Sequence, residues 1–315
     1  MRTITFSLSL LIAAMPVAGV DGPRLLDGTI SPPTAKQTQA SIRVNVDMAL
    51  VPVTVLDTMG HNVLGLSRGN FRVFDGPEQR PIVSFGTQDA PVTVGLIFDC
   101  SRSMVEKFKT AREAPMELYK QLNPEDETFL ITVSDRATLR QPLTSSFEDI
   151  ESALMFTNPN GSTSLIDGVF LGLSELKKAH NPRKALVVVS DGGDNNSRYS
   201  LRELSKIAAE ADVQIFTICL FAHPQTREEA EGPVLLSDLV RNTGGVNYLT
   251  ADVNDLRNAM GRIGVTLHNE YVLGYYPPEG AAPGKYRKIK VQLLLPANLP
   301  RLQVFARSSY FLPER

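Results

Sequence analysis

The chain has 315 residues, of which 43% are hydrophobic and 21% are charged. This is an ordinary globular composition, which excludes fibrous and wholly disordered classes, and the length favours about two domains. The 32 basic and 34 acidic residues give a formal net charge of -2, without the basic excess typical of nucleic-acid-binding proteins, so we expect no nucleic-acid partner.

Residues 1–19 have the pattern of a secretory signal peptide. Arg2 precedes an apolar run over residues 4–16, and small residues follow it, namely Val17, Ala18 and Gly19. The alternative is a membrane anchor, but the run is shorter than the about 20 apolar residues that a bilayer-spanning helix needs. We therefore expect cleavage, export to the periplasm or the extracellular space, and no membrane span afterwards. Residues 20–40, rich in Pro, Thr and Gly, are predicted to be a linker.

Residues 41–88 show the alternation of short strands. Apolar side chains recur at every second position over most of this segment, and turn residues such as Gly60 and Gly76 separate the stretches. The apolar positions are Ile42, Val44 and Val46, then Val51, Val53 and Val55, then Phe71 and Val73, and then Ile82, Val83 and Phe85. This pattern is typical of one part of a small β-sandwich.

Residues 91–268 have a different pattern, in which short apolar runs without alternation are spaced by helical stretches. Such runs predict an α/β fold, a doubly wound and mostly parallel sheet that helices cover on both faces. The predicted strands are residues 92–98, 128–133, 185–189, 213–220 and 246–249. The predicted helices are residues 105–122, with a kink at Pro115, and 147–156, 164–178, 201–211, 235–242 and 255–267.

Residues 269–315 return to the strand pattern. The predicted strands are residues 271–276, 286–295, 302–305 and 309–312, separated by turns rich in Pro and Gly. Neither this segment nor residues 41–88 has enough strands to bury a core comfortably by itself. We therefore expect the two segments to form one β-domain, into which the α/β domain of residues 91–268 is inserted.

Oxygen-bearing side chains are concentrated at three places in the predicted α/β domain. They follow the first strand, precede the helix over residues 164–178, and follow the strand over residues 185–189; they are Asp99, Ser101, Ser103, Thr163 and Asp191. Ligands of open α/β sheets bind beyond the carboxyl ends of the strands, so these side chains are expected to converge. Helix capping or a plain turn explains each motif alone. Together, two carboxylates and three hydroxyls favour a Mg²⁺ site, with Mn²⁺ and Ca²⁺ as alternatives.

The motifs Asp99-Cys100-Ser101-Arg102-Ser103, Gly161-Ser162-Thr163 and Ser190-Asp191-Gly192 resemble, in this order, the metal-ion-dependent adhesion site of von Willebrand factor type A domains. The likeness covers residues 91–268, and the flanks are similar, less specifically, to exported von Willebrand factor A-related proteins of Acidobacteria. It implies that Asp99, Ser101 and Ser103 bind the ion directly. It also implies that Thr163 binds directly or through water, and Asp191 mainly through water.

These residues favour a binding function over catalysis. An ion held by only two carboxylates stays electrophilic, so we expect it to recruit an Asp or Glu side chain of an unknown protein partner. The chain is then an exported adhesion or scaffold module. One alternative is a structural α/β protein with a vestigial metal site, and another is a hydrolytic enzyme. Because the familiar sequence patterns of hydrolases are missing, we expect no enzyme activity.

The two cysteines, Cys100 and Cys219, are expected to be free. The predicted strand order puts them two strands apart, which corresponds to about 10 Å between their backbones. A disulfide requires Cα atoms within about 7 Å. We therefore predict two free and largely buried thiols, even in an exported protein.

Overall fold

A computed structural model describes residues 48–88, 90–221, 227–278, 284–295 and 301–312. The predicted signal peptide, the predicted linker and the alternating residues Ile42, Val44 and Val46 lie outside the described residues. Among the residues that are described, no helix combines the length and the apolar character needed to cross a membrane.

Strands and helices follow one another as the hydrophobic patterns predict, with some differences in their bounds. The strands are β1 (Ala49–Leu56), β2 (Phe71–Asp75), β3 (Glu78–Arg80), β4 (Ser84–Gln88), β5 (Val92–Asp99), β6 (Glu127–Val133), β7 (Ala137–Thr144), β8 (Arg183–Ser190), β9 (Gln214–Leu220), β10 (Asn247–Thr250), β11 (Glu270–Tyr275), β12 (Lys285–Leu293), β13 (Gln303–Ala306) and β14 (Ser309–Leu312). The helices are α1 (Val105–Ala111), α2 (Pro115–Tyr119), α3 (Phe147–Met155), α4 (Leu165–Leu176), α5 (Leu201–Ala211), α6 (Arg227–Val240) and α7 (Val253–His268).

A six-stranded sheet in the order β10-β9-β8-β5-β6-β7 forms the centre of the α/β part. The first five strands of this order are parallel to one another, and β7 runs antiparallel to β6 at the edge. Every residue of β5 is buried, because apolar clusters cover both faces of the sheet. Helices α1, α2 and α7 contribute to one cluster, and α4, α5 and α6 contribute to the other. The predicted doubly wound α/β fold is confirmed.

Three elements of the α/β part differ from the prediction. The predicted helix over residues 105–122 is two helices, because Pro115 begins α2 at a position where its missing N–H costs no helical hydrogen bond. Strand β7 was not predicted, since its residues are only partly buried or exposed. Helix α6 begins at Arg227 rather than at residue 235, and it contains Pro233, which normally ends or kinks a helix.

The flanking segments form two four-stranded antiparallel sheets, in the orders β13-β1-β11-β4 and β14-β12-β2-β3. Each sheet combines strands from both segments, since β1 pairs with β11 and β13, and β2 pairs with β12. A third apolar cluster fills the space that they share, with Val53, Phe71, Val73, Tyr271 and Leu273 among its buried members. The flanking β-structure is thus built from residues on both sides of the α/β part.

Candidate metal centre

Asp99 and Asp191 lie at the carboxyl edge of the central sheet, on neighbouring strands. Asp99 is the last residue of β5, and Asp191 follows the last residue of the parallel strand β8. Phe98 pairs with Val189 in the register of these strands, so the two aspartates come at nearly the same level of the sheet. The strand order therefore brings the two predicted acidic ligands together.

The loop after β5 places the first three predicted ligands beside one another. Asp99 Oδ1 accepts a hydrogen bond from the Ser101 N–H at 2.9 Å, which closes a tight turn. The hydroxyl oxygens of Ser101 and Ser103 are 3.1 Å apart. A 3-10 turn over Arg102–Met104 then leads directly into α1. This loop presents a carboxylate and two hydroxyls within a few ångströms.

Thr163 lies in a second loop that hydrogen bonds join to the first. The Arg102 N–H donates to the Gly161 carbonyl at 3.0 Å, and the Asn160 N–H donates to the Cys100 carbonyl at 2.8 Å. The buried Thr163 is also tied to the loop after β8, because its N–H donates to Asn195 Oδ1 at 2.9 Å. Its backbone therefore lies between the loops that carry the two aspartates.

Asp191 differs from Asp99 in its partners. Its Oδ2 accepts a hydrogen bond from Lys107 Nζ of α1 at 3.2 Å. Its Oδ1 is buried and has no hydrogen-bond partner among the described residues. A buried carboxylate oxygen without a donor costs free energy unless a cation or another donor satisfies it. Asp191 thus has one oxygen available to a further positive group.

Two residues of this region were missed by the sequence reasoning. Ser190 donates its hydroxyl hydrogen to Asp99 Oδ2 at 2.6 Å, and Lys107 contacts Asp191. The sequence contained a signal for Ser190, a hydroxyl residue at the end of a buried strand beside a predicted ligand. Lys107 offered no comparable signal, because its partner is 84 residues away in the chain.

Burial dominates the electrostatics of Asp99. It raises the pKa of this carboxyl group from 3.8 to about 6, and the negative charge of Asp191 raises the pKa in the same direction. Hydrogen bonds from Ser190 and Ser101 act in the opposite direction. Two neighbouring buried carboxylates therefore disfavour their joint ionisation unless positive charge is supplied.

The donor set fits a hard divalent cation. It consists of two buried carboxylates and the hydroxyls of Ser101, Ser103 and Thr163, which are oxygen ligands of the kind that Mg²⁺ prefers. The unsatisfied Asp191 Oδ1 is the atom that such a cation would complement. No group of three or more His, Cys, Asp and Glu residues suited to a metal ion occurs within the described ranges. A site here would therefore depend on its hydroxyl ligands.

Cys100 and Cys219 are free and buried, which confirms the prediction of two unpaired thiols. Burial raises the pKa of the Cys100 thiol above its ordinary value, and it raises the pKa of Cys219 to about 12. Both sulfurs are protonated at neutral pH, and a protonated thiol is neither a good nucleophile nor a metal ligand.

One family model matches the first part of the α/β region. Residues 94–193 match the family model of the von Willebrand factor type A domain, and this range includes all five predicted ligands. No curated protein matches the chain.

Several solved structures are similar to a part of this chain. BatB from Bacteroides thetaiotaomicron shares 18% identity over 56% of this chain and 98% of its own, with a TM-score of 0.47. The PilB minor pilin from Streptococcus sanguinis shares 17% identity over 57% of this chain and 62% of its own, with a TM-score of 0.44. The vWF domain of the type V pili tip protein Mfa5 from Porphyromonas gingivalis shares 10% identity over 57% of this chain and 96% of its own, with a TM-score of 0.45.

Proposed function

Because the chain contains a von Willebrand factor type A domain, we propose that it is a protein-binding module that holds a partner through a divalent cation at the edge of its central sheet. The observation that carries this proposal is the pair of buried carboxylates on adjacent strand ends, of which Asp191 retains an unsatisfied oxygen. Asp99, Ser101, Ser103, Thr163 and Asp191 would hold the ion, which is Mg²⁺ in this proposal, with Mn²⁺ or Ca²⁺ as substitutes.

Different residues of the chain would have different roles in binding the ion. Ser190 and the Ser101 N–H orient the Asp99 carboxylate, so its two oxygens are fixed before any ion arrives. The backbone of Thr163 connects the loops on either side of it. When bound, the ion would supply an electrophilic position for an oxygen from outside. Three of the five ligands are neutral hydroxyls, and Asp191 would act mainly through water, so the ion would stay electrophilic and an Asp or Glu side chain of a partner protein would bind there.

We further propose that the protein acts outside the cytoplasm, as an adhesion or scaffold module without catalytic activity. The support is the signal-peptide pattern of residues 1–19. Outside the cytoplasm, a carboxylate-binding module can contact other exported proteins and the surface proteins of other cells.

The metal step is tested by calorimetric titration of the purified protein with MgCl₂ and MnCl₂. We expect one bound ion per chain in the wild type and loss of binding in Asp99→Asn, which removes a charge from a buried ligand while keeping its shape. Ser103→Ala, at a partly exposed ligand, should weaken binding without a change in fold. Circular dichroism of both variants checks that the fold is retained.

Two outcomes would contradict the proposal. The absence of heat in the wild type, together with the absence of bound Mn²⁺ by electron paramagnetic resonance, would reject the metal site. Capture of the same partner from the exported proteins of the host, with and without EDTA, tests the carboxylate bridge. A partner that remains bound in EDTA would reject that bridge.

A further inference from the structure

Lys107 places a positive charge of the chain itself at the proposed metal site. Its Nζ lies 3.2 Å from Asp191 Oδ2, and the Asp191 side chain is only 2% exposed. The Lys107 side chain is 26% exposed, so its stem extends from solvent to the buried carboxylate. The contact is an ion pair between a residue of α1 and the loop that follows β8.

The position of Lys107 in its own helix does not explain this contact. Lys107 lies in the first turn of α1, which begins at Val105. Helix N-termini carry partial positive charge, so a cation there is disfavoured by the helix dipole. The charge of Lys107 is instead compensated by Asp191, a partner that only the tertiary structure supplies.

An ammonium group and a metal ion would compete for the same negative charge. A divalent ion held by Asp99 and Asp191 would lie within a few ångströms of Lys107 Nζ, where repulsion between cations is strong. The lysine has a long, flexible side chain that is already partly in water, so its head group can move away into solvent. Both carboxylate oxygens of Asp191 are then available to the ion.

We propose that Lys107 is a tethered cation that neutralises Asp191 in the metal-free protein, withdraws when a divalent ion binds, and thereby sets the metal affinity of the site. The inference rests on the proposed metal-binding function. It assigns the lysine a competing role, since each ion must displace the ammonium from Asp191. The site would consequently fill only where the divalent cation is abundant.

The first test compares the Mg²⁺ affinities of the wild type, Lys107→Met and Lys109→Met by calorimetry. Lys109 is the matched control, because it is an exposed lysine on the same helix and its substitution changes the net charge equally. We expect Lys107→Met to bind Mg²⁺ about tenfold more tightly, because no ammonium has to be displaced. Lys109→Met should stay within about twofold of the wild type, since exposed charges are screened by salt. Lys107→Gln serves as a second variant should Lys107→Met fail to fold.

The second test uses the wild type alone. Reductive methylation followed by peptide mass spectrometry measures how accessible each lysine is, with Mg²⁺ and with EDTA. We expect Mg²⁺ to increase the labelling of Lys107 and to leave that of Lys109 unchanged.

The outcomes separate this inference from the proposed function. Equal Mg²⁺ affinities in Lys107→Met and the wild type, or weaker binding in the variant, would overturn the role of Lys107 while leaving the metal site intact. Labelling of Lys107 that does not respond to Mg²⁺ would do the same. If none of the proteins binds Mg²⁺ or Mn²⁺, the proposed metal site fails and this inference fails with it.

Discussion

The carboxyl group of Asp99 is both buried and a proposed metal ligand. Its carboxyl group is fully buried and lies near the second carboxylate of the site, and its pKa is raised to about 6. The hydroxyl of Ser190 and the N–H of Ser101 supply donors but no positive charge. The metal-free protein therefore ionises Asp99 at a cost in stability, which a bound cation would remove.

Because of this cost, the ionisation of Asp99 makes the stability of the metal-free protein depend on pH. Well below pH 3.8 Asp99 is protonated in both the folded and the unfolded chain, and the stability from its raised pKa is fully present. That stability is lost as the pH rises through about 6, because the folded state then has to give up the proton. In EDTA, Asp99→Asn should therefore gain stability relative to the wild type between pH 4 and pH 7, by about 2 kcal/mol.

Urea unfolding of both proteins in EDTA at several pH values measures this difference. Titrating groups that do not interact with Asp99 change both curves alike, so the difference between the two proteins reports the ionisation of Asp99 together with its coupling to neighbouring groups. A difference that stays constant from pH 4 to pH 7 would contradict the raised pKa.

At the scale of elements, the central strands could be predicted closely from the sequence. Runs such as Val92–Asp99 and Arg183–Ser190 are apolar on both faces because both faces are covered, and this leaves an unambiguous pattern. Strand β7 was not predicted, because an edge strand needs little burial. The prediction missed the first turns of α6, where Gly232 and Pro233 have poor helix propensity.

Some contacts of the candidate site could likewise be predicted from the sequence, and others could not. Asp99, Ser101 and Ser103 belong to one short motif, so their proximity could be predicted from local spacing. The contact between Lys107 and Asp191 could not be predicted, because it depends on which strands are neighbours and on how α1 lies beside them.

Helix α6 contacts the loop after β8 through two glycines. A Cβ atom on Gly232 would lie 2.4 Å from the Asp191 carbonyl oxygen, and one on Gly192 would lie 2.3 Å from the Gly232 Cα. Backbone atoms define both distances, so no side chain can move aside to relieve the overlap. Gly232 thus permits a close approach of the helix to the loop that holds Asp191.

Gly232→Ala should therefore destabilise the protein, by about 2 kcal/mol or more. Alanine is the better helix former by about 1 kcal/mol, so the loss would arise from the contact with the loop and not from the helix itself. The midpoint of urea unfolding measures the change. Gly193→Ala is the control, because a Cβ at that position of the same loop meets nothing within 4 Å. A Gly232→Ala variant as stable as the wild type would contradict the close approach.

At the scale of the whole molecule, a buried polar cluster joins the flanking β-structure to the central sheet. Glu270, the first residue of β11, accepts hydrogen bonds from Arg183 of β8 at 2.8 Å and from Gln214 of β9 at 2.6 Å. Thr54 of β1 donates to the same carboxylate at 3.0 Å. One buried carboxylate thus connects strands of both flanking segments with two strands of the α/β part.

Removal of this carboxylate should weaken the whole molecule. Glu270→Ala leaves the buried guanidinium of Arg183 without its counter-charge, and we expect a loss of about 3–5 kcal/mol in the free energy of unfolding. Glu78→Ala is the control, because the Glu78 side chain is 62% exposed and its ion pair with Arg80 should contribute about 0–1 kcal/mol. Chemical denaturation measures both losses. Equal losses in the two variants would contradict a joining role for Glu270.

The pairing of β4 with β11 has a kinetic consequence. Gln88 lies opposite Glu270 in the register, so the chain leaves the flanking sheet and returns to it at adjacent positions. Thr54 and its partner Glu270 are 216 residues apart, and closing so long a loop in an unfolded chain is slow. Once the α/β part has folded, its two ends are already close, and most of that closure entropy has been lost beforehand. Folding of the inserted part thereby brings β11 close to β1 and β4 before these strands pair. The flanking sheets would then be the last part of the molecule to fold.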